Sequence, residues 1–222
     1  DAVTAEEPAN RLAIALGFRA HLLGAEPHRI WRIETPELKI ELWPMGGLCQ
    51  EEDILRRDFS CNAMSWELPD GPLVDLVGGT GDLERGRLRA ISRGNLEEDP
   101  VRLLRGPRFL AQLEAFEFDP ETRGWIRELS PSLAEAPRER VGQELLALLR
   151  ASSAWLGLRE CLDLGLFEPA APSGCRLDEP WLRENLQAMG RLCGAVVPPA
   201  MSRFGNGDDT ARLAYLFRSW GI

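Results

Sequence analysis

The segment Asp53-Ile-Leu-Arg-Arg-Asp-Phe-Ser-Cys-Asn-Ala-Met64 sets two adjacent arginines before an aspartate, and an asparagine follows four positions later. Guanidinium groups fork onto phosphate oxygens, while a carboxylate and an amide suit sugar hydroxyls. Arg57, Asp58 and Asn62 could therefore reach one polyanionic, hydroxyl-bearing ligand. The same residues also read as solvated helix arginines followed by an aspartate N-cap. A second group lies in Glu98-Asp-Pro-Val-Arg-Leu-Leu-Arg-Gly-Pro-Arg-Phe109. Arg102, Arg105 and Arg108 fall three apart, so on a helix each is turned back by about 60° from the last, and together they form a slowly winding cationic stripe. Asp99 before Pro100 suits a helix start, with aspartate at the cap and proline at the first helical position. Asp1 and Glu41 are a third set, two carboxylates that could help hold a cation. Two are too few to define a metal site by sequence, and a lone strand glutamate more often faces solvent.

These side chains need elements to hold them. Leu12, Ala13 and Leu16 recur at helical spacing between Pro8 and Gly17, and predict a first helix with a glycine stop. The runs His28–Thr35 and Leu38–Trp43 flank Pro36-Glu37 and predict a hairpin, with Glu41 on the sheet face of Lys39 and Trp43. Leu73–Val77 is another short apolar run, entered from Pro69-Asp-Gly-Pro72 and left through Gly78-Gly-Thr-Gly81. From Glu98 onward strands give way to amphipathic helical patterns, broken at Asp119-Pro120, Ser130-Pro131, Pro169 to Gly174 and Pro198-Pro199. The reading is an α/β part followed by an all-helical part, with the boundary near residues 90 to 98.

The 222 residues carry 26 Lys and Arg against 35 Asp and Glu, a net charge of −9, with 44% apolar residues. That balance describes an acidic globular protein and, taken alone, argues against a polyanion-binding one. No apolar run approaches the roughly 20 residues of a bilayer span, and no basic segment precedes an apolar stretch at the start, so neither a membrane span nor a secretory signal is expected. Cys49, Cys61, Cys161, Cys175 and Cys193 are odd in number and form no C-x-x-C pair. Neither a disulfide framework nor a zinc site follows, and a reducing cytoplasm is expected. Because the first residue is Asp1 rather than methionine, the chain is expected to lack its natural beginning.

In order and spacing, Arg56-Arg-Asp-Phe-Ser-Cys-Asn-Ala-Met64, Leu73-Val-Asp-Leu-Val-Gly-Gly-Thr-Gly-Asp-Leu83, Leu88-Arg-Ala90 and Glu98–Phe109 closely resemble the tRNA nucleotidyltransferase/poly(A) polymerase family of the bacterial and eukaryotic type. The resemblance continues through Phe118-Asp-Pro-Glu-Thr122 and Arg138-Glu-Arg-Val-Gly-Gln-Glu-Leu145. It implies an α+β fold: a nucleotidyltransferase head with a mixed β-sheet over 1–92, here lacking its first strand, a helical neck over 93–150 and a helical body over 151–222. It implies transfer of A, or of C and A, from ATP and CTP to the 3′ end of tRNA or another RNA, with Mg²⁺ as cofactor. A catalytically inactive member that binds nucleotide or RNA, and a nucleotidyltransferase acting on a small molecule, are the alternatives. The sequence specifies no oligomeric state.

Carried over by position, the resemblance makes Arg57 a nucleotide contact and Asp58 and Asn62 readers of the ribose, with Ser60 where threonine is usual. Asp99 and Arg102 become the pair that serves as a protein template for the base, with Arg105 and Arg108 as further nucleotide-binding arginines. Asp75 to Leu83 resembles a flexible hinge, and Glu139 to Glu144 a segment that braces the templating helix. Asp1 matches the second aspartate of the family's metal-binding pair, and Glu41 a third carboxylate on a neighbouring strand. The family's Gly-Gly segment is absent, and Arg218-Ser219 stand where some relatives carry His-Asp, so no phosphohydrolase activity is expected.

The template has a physical logic of its own. Adenine and cytosine each present an amino donor beside a ring-nitrogen acceptor, which a carboxylate and a guanidinium match. Uracil and guanine reverse the pattern, and each unpaired group in a dry pocket costs about 1–3 kcal/mol. The charge is also uneven: seven arginines against three acidic residues between Arg85 and Arg108 give a local +4, leaving −13 for the other residues. That stripe is where a nucleotide and an RNA end are expected.

Overall fold

Ala9 and Ala13 lie one turn apart on helix α1 (Glu6–Leu16) and are buried, as is Ile33 of the strand against which the helix packs. The computed structural model describes residues 6–23, 30–42, 48–66, 70–113, 115–171 and 178–193. They fall into two compact units, 1–54 and 55–222. In the first, α1 ends where the sequence places its stop. Gly17 adopts φ 75°, Phe18 N donates to Ala13 O and Gly17 N donates to Ile14 O, which together close the helix C-terminus. Strands β1 (Ala20–Leu23), β2 (Ile30–Glu34) and β3 (Lys39–Leu42) form an antiparallel sheet in that order. The expected hairpin is β2–β3, and its turn is tied by the Thr35 hydroxyl, which accepts from Leu38 N at 2.8 Å. The register sets Arg32 directly opposite Glu41. Helix α2 (Gln50–Leu55) then leads toward the second unit.

That unit opens with a 3-10 turn at Ser60–Asn62, a two-stranded ribbon of β4 (Ser65–Trp66) and β5 (Leu73–Val74), and helix α3 (Gly79–Glu84). The apolar run expected at 73–77 stays extended only to Val74. Asp75 turns the chain, because its carboxylate collects the N–H groups of Val77, Gly79 and Thr80. Next come β6 (Arg87–Leu88), α4 (Arg93–Glu98), α5 (Arg102–Gln112) and β7 (Glu117–Phe118). Strand β7 lies in the part expected to be helical throughout. It pairs in parallel with β6, and Gly86, at φ 62°, accepts from Glu117 N at 2.8 Å. The remaining helices are α6 (Pro120–Leu129), α7 (Arg138–Leu149), α8 (Ala154–Asp163), α9 (Phe167–Ala170) and α10 (Glu179–Cys193).

Helix α5 is the axis of this unit and packs on both α7 and α8. Its buried residues Leu103, Leu104, Pro107, Leu110 and Ala111 recur as one helical stripe, and Arg102, Arg105 and Arg108 occupy the opposite side. Close approach to α8 depends on Gly157. A Cβ there would lie 2.7 Å from the Pro107 carbonyl oxygen and 3.0 Å from Ala111 Cβ. Because Pro107 lacks an N–H and leaves the helix bond to Leu103 unmade, α5 also has less resistance to bending at that point. Gly157→Ala is therefore expected to destabilise the fold by about 1–3 kcal/mol, read as a lower urea midpoint at unchanged slope.

Candidate nucleotide-binding site

Asp58 is only 3% exposed and is the anionic centre of a turn built from the residues singled out in the sequence. Its Oδ1 accepts from Phe59 N at 2.9 Å and from Asn62 Nδ2 at 3.4 Å, while Oδ2 is bonded by Arg105 Nε. Arg57 Nη1 donates to Asn62 O at 3.1 Å. The turn is pinned from behind by an antiparallel bridge between Phe59 and Ala90, with Ser60 N donating to Arg89 O and Ile91 N to Asp58 O. Thus Arg57, Asp58, Asn62 and Arg105 are brought together, although Arg105 is distant in sequence from the other three.

Asp99 does not cap α5 in the position expected. The helix begins at Arg102, because Arg102, Leu103 and Leu104 first make tight bonds to the carbonyls of Asp99, Pro100 and Val101. The Asp99 carboxylate still accepts from the amide of Val101, the residue just before the helix, at 3.3 Å. Its main partner is Arg140 of α7, whose Nη1 and Nη2 fork onto Oδ1 and Oδ2 at 3.0 and 2.7 Å. Arg102 Nε lies 3.8 Å from Oδ2, while Arg102 Nη1 donates to Asn95 O at 2.7 Å. Oδ2 thus keeps acceptor capacity on the side of Arg102, the pairing of acceptor and donor that an amino-and-ring-nitrogen edge requires. Arg140 was not among the expected site residues. A signal was available: a cation in the first turn of a helix opposes the macrodipole, and such a residue calls for an anion elsewhere.

Arg105 and Arg108 share Glu144 of α7, at 3.9 and 2.7 Å, so the 139–144 segment contacts α5, the helix that the resemblance has it brace. Arg108 Nε and Glu144 Oε2 are buried and close, but off the line of a hydrogen bond, and neither atom has a hydrogen-bond partner. Both guanidinium groups also lie over the Phe109 ring, at 5.5 and 4.6 Å, and Phe109 meets Phe59 edge-on at 5.6 Å.

The segment expected to be a hinge is tightly tied in this structure. Asp75 accepts from Gly79 N at 2.8 Å, Thr80 N at 2.9 Å and the Thr80 hydroxyl at 2.7 Å. Desolvation pushes the carboxyl upward, but these bonds outweigh it and hold its pKa at about 2. Asp82, 3% exposed, accepts from Ser60 Oγ at 2.7 Å and Arg89 Nε at 2.9 Å, and Arg89 also donates to Val77 O. Gly79 fits against the 58–62 turn because it has no Cβ, which would lie 2.3 Å from Ser60 O.

Of the two candidate metal ligands only Glu41 is among the described residues. Asp1 lies outside the described residues, as does the 213–221 segment on which the absence of a phosphohydrolase site was argued. Glu41 belongs to the first unit, where its Oε1 accepts from Arg32 at 2.7 and 3.0 Å and pairs with Lys39 at 3.3 Å. Desolvation raises its pKa, and the bonds from Arg32 and Lys39 lower it to a net value below the usual glutamate range. A divalent ion bound at Glu41 would share the carboxylate with Arg32 and Lys39, and no cluster of three metal-binding side chains occurs among the described residues.

Comparison with known proteins decides the family. The Poly A polymerase head domain matches residues 24–89, and the probable RNA and SrmB-binding site of polymerase A matches residues 115–176, together more than half of the chain. The chain belongs to the tRNA nucleotidyltransferase/poly(A) polymerase family. Among its relatives is the CC-adding tRNA nucleotidyltransferase of Synechocystis sp., 38% identical over 147 residues, covering 65% of this chain and 35% of that protein. The A-adding tRNA nucleotidyltransferase of Deinococcus radiodurans is 37% identical over 171 residues, covering 74% of this chain and 38% of that protein. A solved tRNA nucleotidyltransferase complexed with a primer tRNA and an incoming ATP analog aligns with a TM-score of 0.67 at 28% identity, over 86% of this chain and 57% of that one. The chain spans about a third of the length of these curated relatives. This family generally uses a divalent metal. The α+β architecture of the family is the one found here, and among the described residues no helix is long and apolar enough to cross a membrane.

Asp75 yields a test of the 75–83 segment. Its folded pKa lies below its ordinary value, so it stabilises the fold above about pH 4, and the contribution is lost as pH falls toward 2. Asp75→Asn is expected to cost about 1–2 kcal/mol at neutral pH by analogy with the loss of a helix cap, and the gap from the parent should narrow between pH 4 and 2 in urea titrations.

Proposed function

We propose that the protein is a template-independent RNA nucleotidyltransferase that adds A, or C and A, to the 3′ end of tRNA from ATP and CTP. The observation that carries this reading is the Asp99/Arg102 pair, with Asp99 fixed by Arg140 and retaining acceptor capacity beside Arg102. In this reading Asp99 accepts from the amino group of adenine or cytosine and Arg102 donates to the ring nitrogen. Arg57, Asp58, Asn62, Arg105 and Arg108 contact the ribose and phosphates. Arg105 and Arg108 would bond phosphate oxygens through guanidinium N–H groups other than those turned to Asp58 and Glu144, so that neither carboxylate loses its cation. The proposed organisation is a head over 1–92, a neck over 93–150 and a body over 151–222. The free thiols of Cys49, Cys61 and Cys161 support a reducing, cytoplasmic location. No observation favours a member that binds without transfer.

Incubation of the protein with tRNA transcripts ending before C, CC or CCA and each labelled NTP tests the reading. Asp99→Ala is expected to lower kcat/KM for ATP about 10- to 100-fold while leaving that for GTP within a few-fold, the cost of one lost hydrogen bond to the correct base. Parent protein that incorporates U or G as readily as A would overturn the assignment.

The metal in this reading is Mg²⁺, with Asp1 and Glu41 as proposed ligands and no step of transfer assigned through it. Glu41→Gln is expected to raise the Mg²⁺ concentration for half-maximal transfer at least about tenfold. An unchanged requirement removes Glu41 from the set.

A further inference from the structure

Asn95 stands in none of the motifs that define the family resemblance, yet its hydrogen-bonding groups join both halves of the candidate site. Its side-chain Nδ2 donates to Leu55 O at 2.7 Å and to Arg57 O at 2.6 Å, using both amide hydrogens on the segment that leads into Arg57 and Asp58. Its Oδ1 accepts from Ser92 Oγ at 2.8 Å, and its backbone N donates to the same oxygen at 3.1 Å as the capping bond of α4. Its backbone oxygen accepts from Arg102 Nη1 at 2.7 Å. One residue therefore fixes the loop assigned to ribose and phosphate on one side and the arginine assigned to the base on the other.

We infer that Asn95 is a positioning residue that sets the distance between the sugar-reading turn and the base-reading pair. A nucleotide is a nearly rigid ruler between its base edge and its ribose hydroxyls, so a site that reads both ends selects bases only if the two readers are held at one separation. The turn is also joined to α5 by Asp58 and Arg105, but both members of that joint are themselves proposed to touch the nucleotide. The Asn95 joint uses neither, so it can be altered without removing a contact to the ligand. The carbonyls of Leu55 and Arg57 both face the same amide, and at that place an oxygen would repel both. This inference rests on the proposed function for its effect on base choice, but the joint itself is measurable without it.

Asn95→Asp is the direct test, because it keeps shape, the Ser92 contact and the backbone bond to Arg102 while replacing both donors by an anion. Asn95→Ala, which adds no charge, controls for attraction of Arg102 by the new carboxylate. Two readouts are taken on the full chain: amide hydrogen exchange across residues 55–62, and the ratio of kcat/KM for ATP over GTP with the tRNA acceptor. Both variants are expected to speed exchange in 55–62 at least about tenfold and to lower the ATP-over-GTP ratio about tenfold, mainly through KM for ATP. Exchange unchanged from the parent overturns the joint. Faster exchange with an unchanged ratio overturns the role in selectivity and leaves Asn95 a stabilising residue only. If the parent itself shows no preference for ATP over GTP, the proposed function fails, and equilibrium binding of ATP and of GTP to parent and variants decides the positioning role by the same ratio.

Discussion

A carboxylate that is 3% exposed must be matched by a cation or by hydrogen bonds, and Asp58 has both. Removing Arg105 alone would leave that charge uncompensated, a loss of the order of 3–5 kcal/mol for a buried pair. This places a constraint on everything near it. The 58–62 turn has to lie against the cationic side of α5, and α5 has to present that side while its apolar stripe faces α7 and α8. The glycines at 79 and 157 follow from the same requirement, since each admits backbone at a distance that a methyl group would forbid.

The arginine stripe looks at first like an excess of positive charge waiting for a polyanion. In the folded chain Arg102, Arg105 and Arg108 instead have protein partners: Asn95 O and Asp99, Asp58 and Glu144, and Glu144 with the Phe109 ring. A chain of net charge −9 can supply those anions locally, and the result is a set of guanidinium groups already oriented rather than sampling rotamers. The proposed phosphate contacts add an acceptor to arginines that are already held in place. The gain per contact is smaller than for a bare arginine, but less conformational freedom is lost in making it.

Much of this arrangement was legible in the sequence where local spacing decides the outcome. The stop of α1 at Gly17, the β2–β3 hairpin about Pro36-Glu37 and the breaks at Asp119-Pro120 and Ser130-Pro131, where new helical elements begin, depend on a few neighbouring residues. The stripe of α5 was legible from its three-residue spacing. What the sequence did not show was which distant groups answer the charges. Nothing local pairs Asp99 with Arg140 or Asp58 with Arg105, because those contacts are set by how α7 and the 58–62 turn pack on α5. The strand at Glu117–Phe118 was missed for the same reason: two residues carry no periodicity, and their extended form is imposed by pairing with Arg87–Leu88. Asn95 was missed because an asparagine in the first turn of a short helix is ordinary, and only its partners give it significance.

The separation of readers from supports has a consequence for specificity. Asp99 carries the acceptor proposed to choose the base, yet its orientation is fixed by Arg140, and Arg102 is held through a backbone oxygen of Asn95. A carboxylate free to rotate could turn either oxygen, or none, toward an incoming edge, and a guanidinium free to swing could follow a carbonyl as readily as a ring nitrogen. Two mismatched groups cost enough to reject uracil and guanine only when the site cannot rearrange to satisfy them. Rigid support is therefore part of the discrimination itself. A pair of fixed groups can distinguish adenine and cytosine from the other two bases, but both accepted bases present the same edge, so the choice between A and C must come from residues beyond Asp99 and Arg102.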